Sequence, residues 1–284
     1  MRFKGRISQE NLIGFHMLIS SLERIGSRAA IHLCPNTIKI CVIFESIDSP
    51  RCYSEIPPTA LFSDYRIESQ SDNSILFEIG LDLLSWALAS GKSSDICQLK
   101  LVKRGNKPCL CFEAHASQAV AAVDVTHDIP IKVLRATDII YYAPPEVPPP
   151  DTALQLPRGR LLRTIIEKMT KFGKSVIIES SQNGQVALRI AQSSISIKTY
   201  VNNLVPIFTE NMERSAAGGN KASVEVDIRK LSSILGLHHL QWDNALVFIA
   251  HNASLFLELP CLGTGTVGFY IPILQLQGSD DEGA

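Results

Sequence analysis

The segment "VTHDIPIKV", Val125 to Val133, has the β-branched and apolar residues of a strand but carries Pro130 near its middle. Proline has no N–H to donate, so in a central strand it would remove a hydrogen bond from the sheet. Two interpretations follow. The segment is a strand at the edge of a sheet, or the chain leaves the sheet at Asp128 and Pro130 begins a linker.

A proline-rich break follows this segment. Residues Pro144 to Pro150, "PPEVPPP", hold five prolines in seven positions, which predicts an extended spacer between two parts of similar length. The length of 284 residues is typical of a chain with two domains. We therefore expect a first domain at 1–133, a linker at 134–150, a second domain at 151–277 and an acidic tail at 278–284.

The two halves repeat each other in sequence pattern. Each begins with a short apolar segment followed by a helical stripe, formed by Leu12, Phe15, Ile19 and Leu22 in the first half and by Leu162, Ile165, Met169 and Phe172 in the second. Further on, "FEIGLDLLSWAL" from Phe77 matches "VEVDIRKLSSIL" from Val224, and both halves then reach an "IPI". The pattern predicts an α+β domain built twice, with antiparallel sheets and two helices per half.

Composition narrows the class of protein. Apolar residues make up 45% and the formal net charge is -1, which predicts packed cores and no general attraction to nucleic acid or membrane. No apolar run approaches the ~20 residues of a membrane-spanning helix. Seven scattered cysteines and the absence of a signal-peptide pattern predict a reduced, intracellular protein.

These motifs resemble the DNA sliding-clamp family, and more narrowly its Hus-one branch in the nine-one-one checkpoint clamp. The resemblance rests on "VTHDIPIKV" with the proline-rich linker, "IIEKM" at Ile165, "VDIRKL" at Val226 and "FYIP" at Phe269. It implies a DNA-clamp fold whose helices line a central hole. It also implies a heterotrimer with Rad-nine-type and Rad-one-type subunits, a separate clamp loader, double-stranded DNA through the ring and residence in the nucleus, with a cytoplasmic pool when unassembled.

The resemblance favours the edge-strand interpretation of Pro130, because the last strand of the first clamp domain pairs with a neighbouring subunit. The second edge is expected near Ser194 to Val201. The interface candidates are therefore Thr126, His127, Ile129, Pro130, Ile131, Val133, Ile195, Ile197 and Thr199.

Basic residues concentrate on the first helix of the second half, where six of them face one acid, Glu167. On an isolated helix this pattern would favour a solvated face. The resemblance implies instead that the helix lines the central hole, where basic residues can contact phosphates without reading bases. The DNA-facing candidates are Arg158, Arg160, Arg163, Lys168, Lys171, Lys174, Arg229 and Lys230, with weaker candidates Arg24, Arg28 and Lys92 in the first half.

Catalytic and cofactor signals are poor. "GKS" occurs at Gly91 and Gly173 without the earlier glycine of a phosphate loop, so no nucleotide cofactor is expected. The spacing of Cys109, Cys111 and His115 matches no standard metal site and favours buried thiols over a metal. We expect a non-enzyme with no small-molecule substrate; the alternatives are an interaction scaffold that does not bind DNA and a Cys/His-dependent hydrolase.

Overall fold

The computed structural model describes residues 1–44, 46, 48–117, 122–157, 159–192, 195–208, 221–237, 239–240 and 242–274. The predicted tail at 278–284 and the DNA-facing candidate Arg158 lie outside these ranges. Within them no helix is both long and apolar enough to span a membrane.

The first half alternates helices with antiparallel strands. Its elements are β1 (Arg2–Ile7), α1 (Gln9–Glu23), β2 (Arg28–Leu33), β3 (Ile38–Ile43), β4 (Arg51–Ile56), α2 (Pro58–Leu61), β5 (Asp64–Glu68), β6 (Ile75–Gly80), α3 (Leu81–Ser90), β7 (Ile96–Arg104), β8 (Lys107–Ser117) and β9 (Ala122–Val133). A 3-10 helix (Ala136–Tyr142) follows β9.

The second half repeats this order without a counterpart of α2. Its elements are β10 (Thr152–Gln155), α4 (Gly159–Met169), β11 (Ser175–Ser181), β12 (Gln185–Ala191), β13 (Ser196–Val201), β14 (Val205–Pro206), β15 (Lys221–Asp227), α5 (Ile228–Leu235), β16 (Leu246–Ala250), β17 (Ser254–Cys261) and β18 (Gly265–Ile271).

Strand pairing confirms that the fold is built twice. In the first half β2 lies between β3 and β6, and β1 lies between β5 and β7. The second half has the same pairs among β11, β12 and β15 and among β10, β14 and β16. One further pair recurs in both halves. Ile79 of β6 pairs with Ile131 of β9 in the first half, and Val226 of β15 pairs with Ile273, just after β18, in the second.

Each half covers its sheets with two helices. Helix α1 packs against α3, and α4 packs against α5. Ser8 caps α1 and Asp227 caps α5, each accepting a hydrogen bond from a backbone N–H of the first turn.

The predicted apolar stripe of α4 needs correction. Leu162 and Met169 are buried, but Ile166 replaces Ile165 as the deeply buried residue between them, and Phe172 lies exposed beyond the helix. The helix ends at Met169, so Lys171 and Lys174 belong to the connection to β11.

The halves are joined by one strand pair. β18 of the second half pairs antiparallel with β4 of the first, with Phe269 opposite Cys52 and Val267 opposite Ser54. We call this pair the junction. It continues a single sheet of 14 strands across both halves, while β11, β12, β13 and β15 form a second sheet.

Pro130 lies where β9 changes partners. The last pair of β9 with β8 is Cys109 with Pro130, and the first pair of β9 with β6 is Ile79 with Ile131. Over Asp124 to Asp128, β9 pairs only with β8 among the described strands, so its other side is open. The chain therefore stays in the sheet past Asp128, and the linker alternative for Pro130 is wrong.

Candidate nucleic-acid interface and strand edges

The second half carries exposed basic residues on its helical side. The buried sides of α4 and α5, including Ile166 and Ile234, face the sheet core, so their exposed sides point away from it. Arg160 and Lys168 are exposed on α4, and Arg229 is exposed on α5. None of these three forms an ion pair with another described residue.

Two other candidates in this half are engaged within the chain. The Arg163 guanidinium lies 2.7 Å from the Glu167 carboxylate one turn later. Lys230 donates from Nζ to the backbone oxygen of Asp48 at 2.5 Å, across the junction. Both are therefore less available to phosphates than Lys171 and Lys174, which are exposed after the helix.

The helices of the first half have a different surface. Glu10 and Glu23 are exposed on α1, and Asp82, Leu83 and Trp86 are exposed on α3. This surface is acidic and apolar where the second half is basic.

The basic candidates of the first half divide between two surfaces. Arg24 is exposed at the end of α1. Lys92 is exposed near His16 of α1, whose pKa is lowered by burial and then by the charge of Lys92. Arg28 does not lie with them: it points to the other face of β2, where it bonds Glu78 at 2.8 Å. Grouping Arg28 with the helix residues is wrong, because alternate strand side chains face opposite sides.

Glu78 holds the 3-10 helix after β9 on that opposite face. Besides Arg28, it accepts a hydrogen bond from Tyr142 at 2.8 Å and one from Lys132 at 3.4 Å. Burial, and then this bond to Glu78, raises the pKa of Tyr142 to about 12. The contact fixes this 3-10 helix against β6.

The open part of β9, Asp124 to Asp128, is called the β9 edge. Its side chains alternate between the two faces: His127 points to the helical side, where Nε2 lies 2.9 Å from Ser90 Oγ, and Asp128 points to the other side, where it binds Arg104 at 2.8 Å. Partial burial tends to raise the pKa of Asp128, but hydrogen bonds from Arg104 and Cys111 outweigh it and lower the pKa.

The neighbouring interface candidates have unequal exposure. Ile129 and Ile131 lie in the apolar core of the chain itself, so their side chains are not accessible to a partner. The expected packing of these two side chains against a neighbour is wrong, because β9 turns inward to β6 there. Thr126, Pro130 and Val133 are exposed.

A second open strand lies in the other half. β13 pairs with β12, and its opposite side has no partner among the described strands; Ser196 to Tyr200 are called the β13 edge. Ile197 and Thr199 are half-buried and alternate with exposed Lys198 and Tyr200. Ile195 is exposed immediately before the strand.

The two cysteines of β8 lie in the protein interior. Cys109 and Cys111 are buried, and burial first of all raises the pKa of Cys111 to about 11, which keeps the thiol protonated. His115 binds Asp124 at the surface. Among the described residues no cluster of His, Cys, Asp or Glu is suited to hold a metal ion. This geometry gives no support to a thiol-dependent hydrolase.

The family model described as Hus1-like protein matches residues 1–275. The chain belongs to the Hus1-like family. A member named Checkpoint protein hus1, from Schizosaccharomyces pombe, is 30% identical over 200 residues, which cover 70% of this chain and 69% of that protein. Checkpoint protein HUS1 from Homo sapiens is 24% identical over 266 residues, covering 91% of this chain and 95% of that protein.

Comparison with solved structures identifies the fold of the chain. PCNA from Thermococcus kodakaraensis superposes with a TM-score of 0.70 at 17% identity, covering 96% of this chain and all (100%) of that one. Proliferating Cellular Nuclear Antigen from Entamoeba histolytica also gives 0.70, at 15% identity, covering 96% and 98%. The predicted α+β DNA-clamp fold is thereby confirmed.

Sequence reasoning missed several residues of the two edges. Val125 and Val201 are half-buried on the same side as His127 and Ile197, and Trp86 lies beside His127 with ring centroids 4.7 Å apart. The alternation along each strand would have found the valines, because it puts Val125 with His127 and Val201 with Ile197. Nothing in the sequence placed α3 beside β9.

Proposed function

We propose that this chain is a non-catalytic subunit of a DNA-damage checkpoint clamp, a heterotrimeric ring that encircles DNA and recruits checkpoint and repair proteins. Membership of the Hus1-like family and the clamp fold support this role. The proposal includes the division into domains at 1–133 and 151–277 with the linker between them.

One observation supports assembly into a ring. In the internal repeat, the two strands with open edges, β9 and β13, match β18 and β4, the two strands that form the junction. Aligning the repeats on Ile131 and Ile273 matches Val125 and His127 of β9 with Val267 and Phe269 of β18. Aligning the first ladder pairs of β12–β13 and β3–β4 matches Ile197 and Thr199 of β13 with Cys52 and Ser54 of β4. Each open edge thus repeats one side of a contact that the chain already makes.

Residues at the open edges are less buried than their counterparts at the junction, as expected if the open edges lack a partner strand. Val267, Phe269 and Cys52 are fully buried at the junction. Their counterparts Val125, His127 and Ile197 are only half-buried. Because open strand edges are templates for another strand, each edge accepts one neighbour, the β9 edge binding a β13-like strand and the β13 edge a β9-like strand. Such head-to-tail contacts form a ring when the rotation closes.

The partners in this proposal are a Rad-nine-type and a Rad-one-type subunit, with a clamp loader supplied by other proteins. No small molecule or membrane takes part. Double-stranded DNA passes through the ring and meets mainly the second half, since Arg160, Lys168 and Arg229 project from its helices whereas those of the first half expose acids. The site of action is the nucleus, with unassembled chain also in the cytoplasm.

Single-residue charges at the edges test the assembly. Val125→Asp should abolish binding of one partner chain and leave the other bound, and Ile197→Asp should do the converse, since each puts a charge into an apolar contact. Binding is measured by pairwise pull-down with each partner, and thermal melts verify folding. Ile96→Asp, at an exposed apolar position of β7, is the matched control and should keep both partners. Two folded edge variants that both retain both partners would refute the proposal.

A further inference from the structure

The second sheet carries a groove on the face away from α4 and α5. It is lined by Glu179 of β11, Lys198 of β13 and Lys221 of β15, and its volume is about 440 Å³. The Glu179 carboxylate lies 2.6 Å from Lys198 and 3.1 Å from Arg189 of β12. Alternate residues of the same strands, including Ile178, lie in the apolar core, so the groove is on the opposite face. Glu179, Arg189, Lys198 and Lys221 are called the outer groove.

The matching groove of the first half includes the chain that follows β9. Cys41 pairs with Tyr53 across β3 and β4, and both line a groove of about 460 Å³. Ile139 of the 3-10 helix lines the same groove. The pair that matches Cys41 and Tyr53 in the second half is Arg189 with Lys198. An apolar side chain thus meets a largely apolar part of the groove in the first half, and the counterpart of that part in the second half is basic.

The sequence after β18 changes in the same sense. With the repeats aligned on the two "IPI" motifs, "ATDI" at 136–139 falls on "GSDD" at 278–281. The two segments share a small residue, a hydroxyl residue and an aspartate, but Asp281 takes the position of Ile139. The groove residues change from apolar to basic between the halves, and the residue expected to meet them changes from apolar to acidic.

The outer groove lies within reach of this segment. Leu274 donates its N–H to the Glu225 backbone oxygen at 2.7 Å, on edge strand β15. Asp281 follows seven residues later. Seven residues span up to about 23 Å. The farthest strand, β13, is three places from β15 in the second sheet. Three strand spacings come to only about 14 Å.

The outer groove also has an excess of positive charge. Arg189 and Lys198 share the single Glu179 carboxylate. Lys221 is exposed and forms no ion pair with another described residue. Glu225 is the other acid on this face of β15, where its carboxylate accepts a hydrogen bond from a serine hydroxyl. Three cations therefore stand against two carboxylates, which favours binding of an acidic segment.

We propose that residues 278–282 of this chain bind the outer groove, with Asp281 beside Arg189 and Lys198 and the neighbouring acids near Lys221. The groove and the segment belong to one chain, so the contact does not depend on assembly with other subunits. Exposed ion pairs are individually weak, so the contact depends on several acids acting together and weakens as salt rises.

Carbodiimide coupling tests the contact, because it joins a carboxylate to a lysine amine as an amide only where the two groups touch. The full chain is coupled as a mixture of isotopically light and heavy protein, and the products are identified by mass spectrometry. Acids of 278–282 should couple to Lys221 within one chain, and more often than to exposed Lys39 or Lys107 of the first half. The ion pair of Glu179 with Lys198 is the internal positive control.

Two variants and salt show whether charge holds the segment. Arg189→Gln and Asp281→Asn should each lower the coupling yield at Lys221 about threefold, which is the effect of one exposed ion pair. Salt at about 1 M, where charges are screened beyond about 3 Å, should lower the yield further. Arg160→Gln, on exposed α4 at the opposite face, is the matched control and should leave the yield unchanged. Thermal melts verify that each variant is folded.

Four results would overturn the inference. Coupling of the segment to Lys39 instead of Lys221 would place it over the groove of the first half. Coupling only between light and heavy chains would make a second copy the occupant. A yield at Lys221 that neither the variants nor salt lowers would exclude a contact held by charge. No coupling of the segment at all, while Glu179 couples to Lys198, would exclude the contact itself.

Discussion

The basic surface of the second half makes a quantitative prediction about salt. A protein that neutralises phosphates releases counterions, so the logarithm of its affinity for DNA falls linearly with the logarithm of salt concentration. The variant to compare with wild type replaces by glutamine four exposed basic residues: Arg160, Lys168, Lys171 and Lys174. Folding should be unaffected, because none of them lies in the apolar core.

The magnitude follows from the number of contacts. Each phosphate contact on duplex DNA contributes about 0.9 to the slope, so four contacts contribute up to about 3.6. Between about 50 and 200 mM salt the wild type should therefore lose about 2 more log units of affinity than the variant. Arg163→Gln alone should change the slope less than Arg160→Gln, since Arg163 is already paired with Glu167.

Fluorescence anisotropy of a labelled duplex, titrated over this salt range with the assembled subunits, measures the slope. Two duplexes of unrelated sequence should give the same change, because phosphate contacts carry no base information. The matched control removes four exposed basic residues from strands of the first half: Arg2, Lys4, Lys103 and Lys107. A slope that is unchanged in the helix variant, or that changes equally in the control, would refute the placement of DNA.

Two further predictions concern stability. Gly159→Ala should destabilise the fold by about 1–3 kcal/mol in denaturant unfolding, because the added Cβ would lie 2.1 Å from Trp242 Cβ; Leu161→Ala, two residues on and exposed, should cost less than about 0.5 kcal/mol, and equal effects would contradict the packing argument. Burial raises the pKa of Glu258, so its folded form holds its proton to higher pH than its unfolded form, and the stability it confers is lost as pH rises from 4.5 through the folded value. The melting temperature of Glu258→Gln minus that of wild type should therefore be more positive at pH 7 than at pH 4. A difference between the two proteins that is the same at both pH values would exclude this effect.

The local order of elements could be predicted from the sequence because it depends on short-range patterns. The helices that carry the stripes from Leu12 and Leu162, the matching segments at Phe77 and Val224 and the repeat itself follow from side-chain periodicity that a few neighbouring residues specify. The resemblance of "VTHDIPIKV" to clamp proteins added the family and the expected edge. The concentration of basic residues after Pro157 was equally visible in the sequence.

Which side each residue faces, and what lies across from it, depended on contacts distant in sequence. Pro130 is tolerated because β9 passes there from β8 to β6. The same turn inward buries Ile131, which the resemblance to clamp proteins had placed at an interface. Arg28 binds Glu78 and does not lie on the helical side, since a shift of one residue along a strand moves a side chain to the opposite face of the sheet. The match between the β4–β18 junction and the two open edges arises from pairing between residues about two hundred positions apart, which no local pattern specifies; only the folded chain brings these strands together.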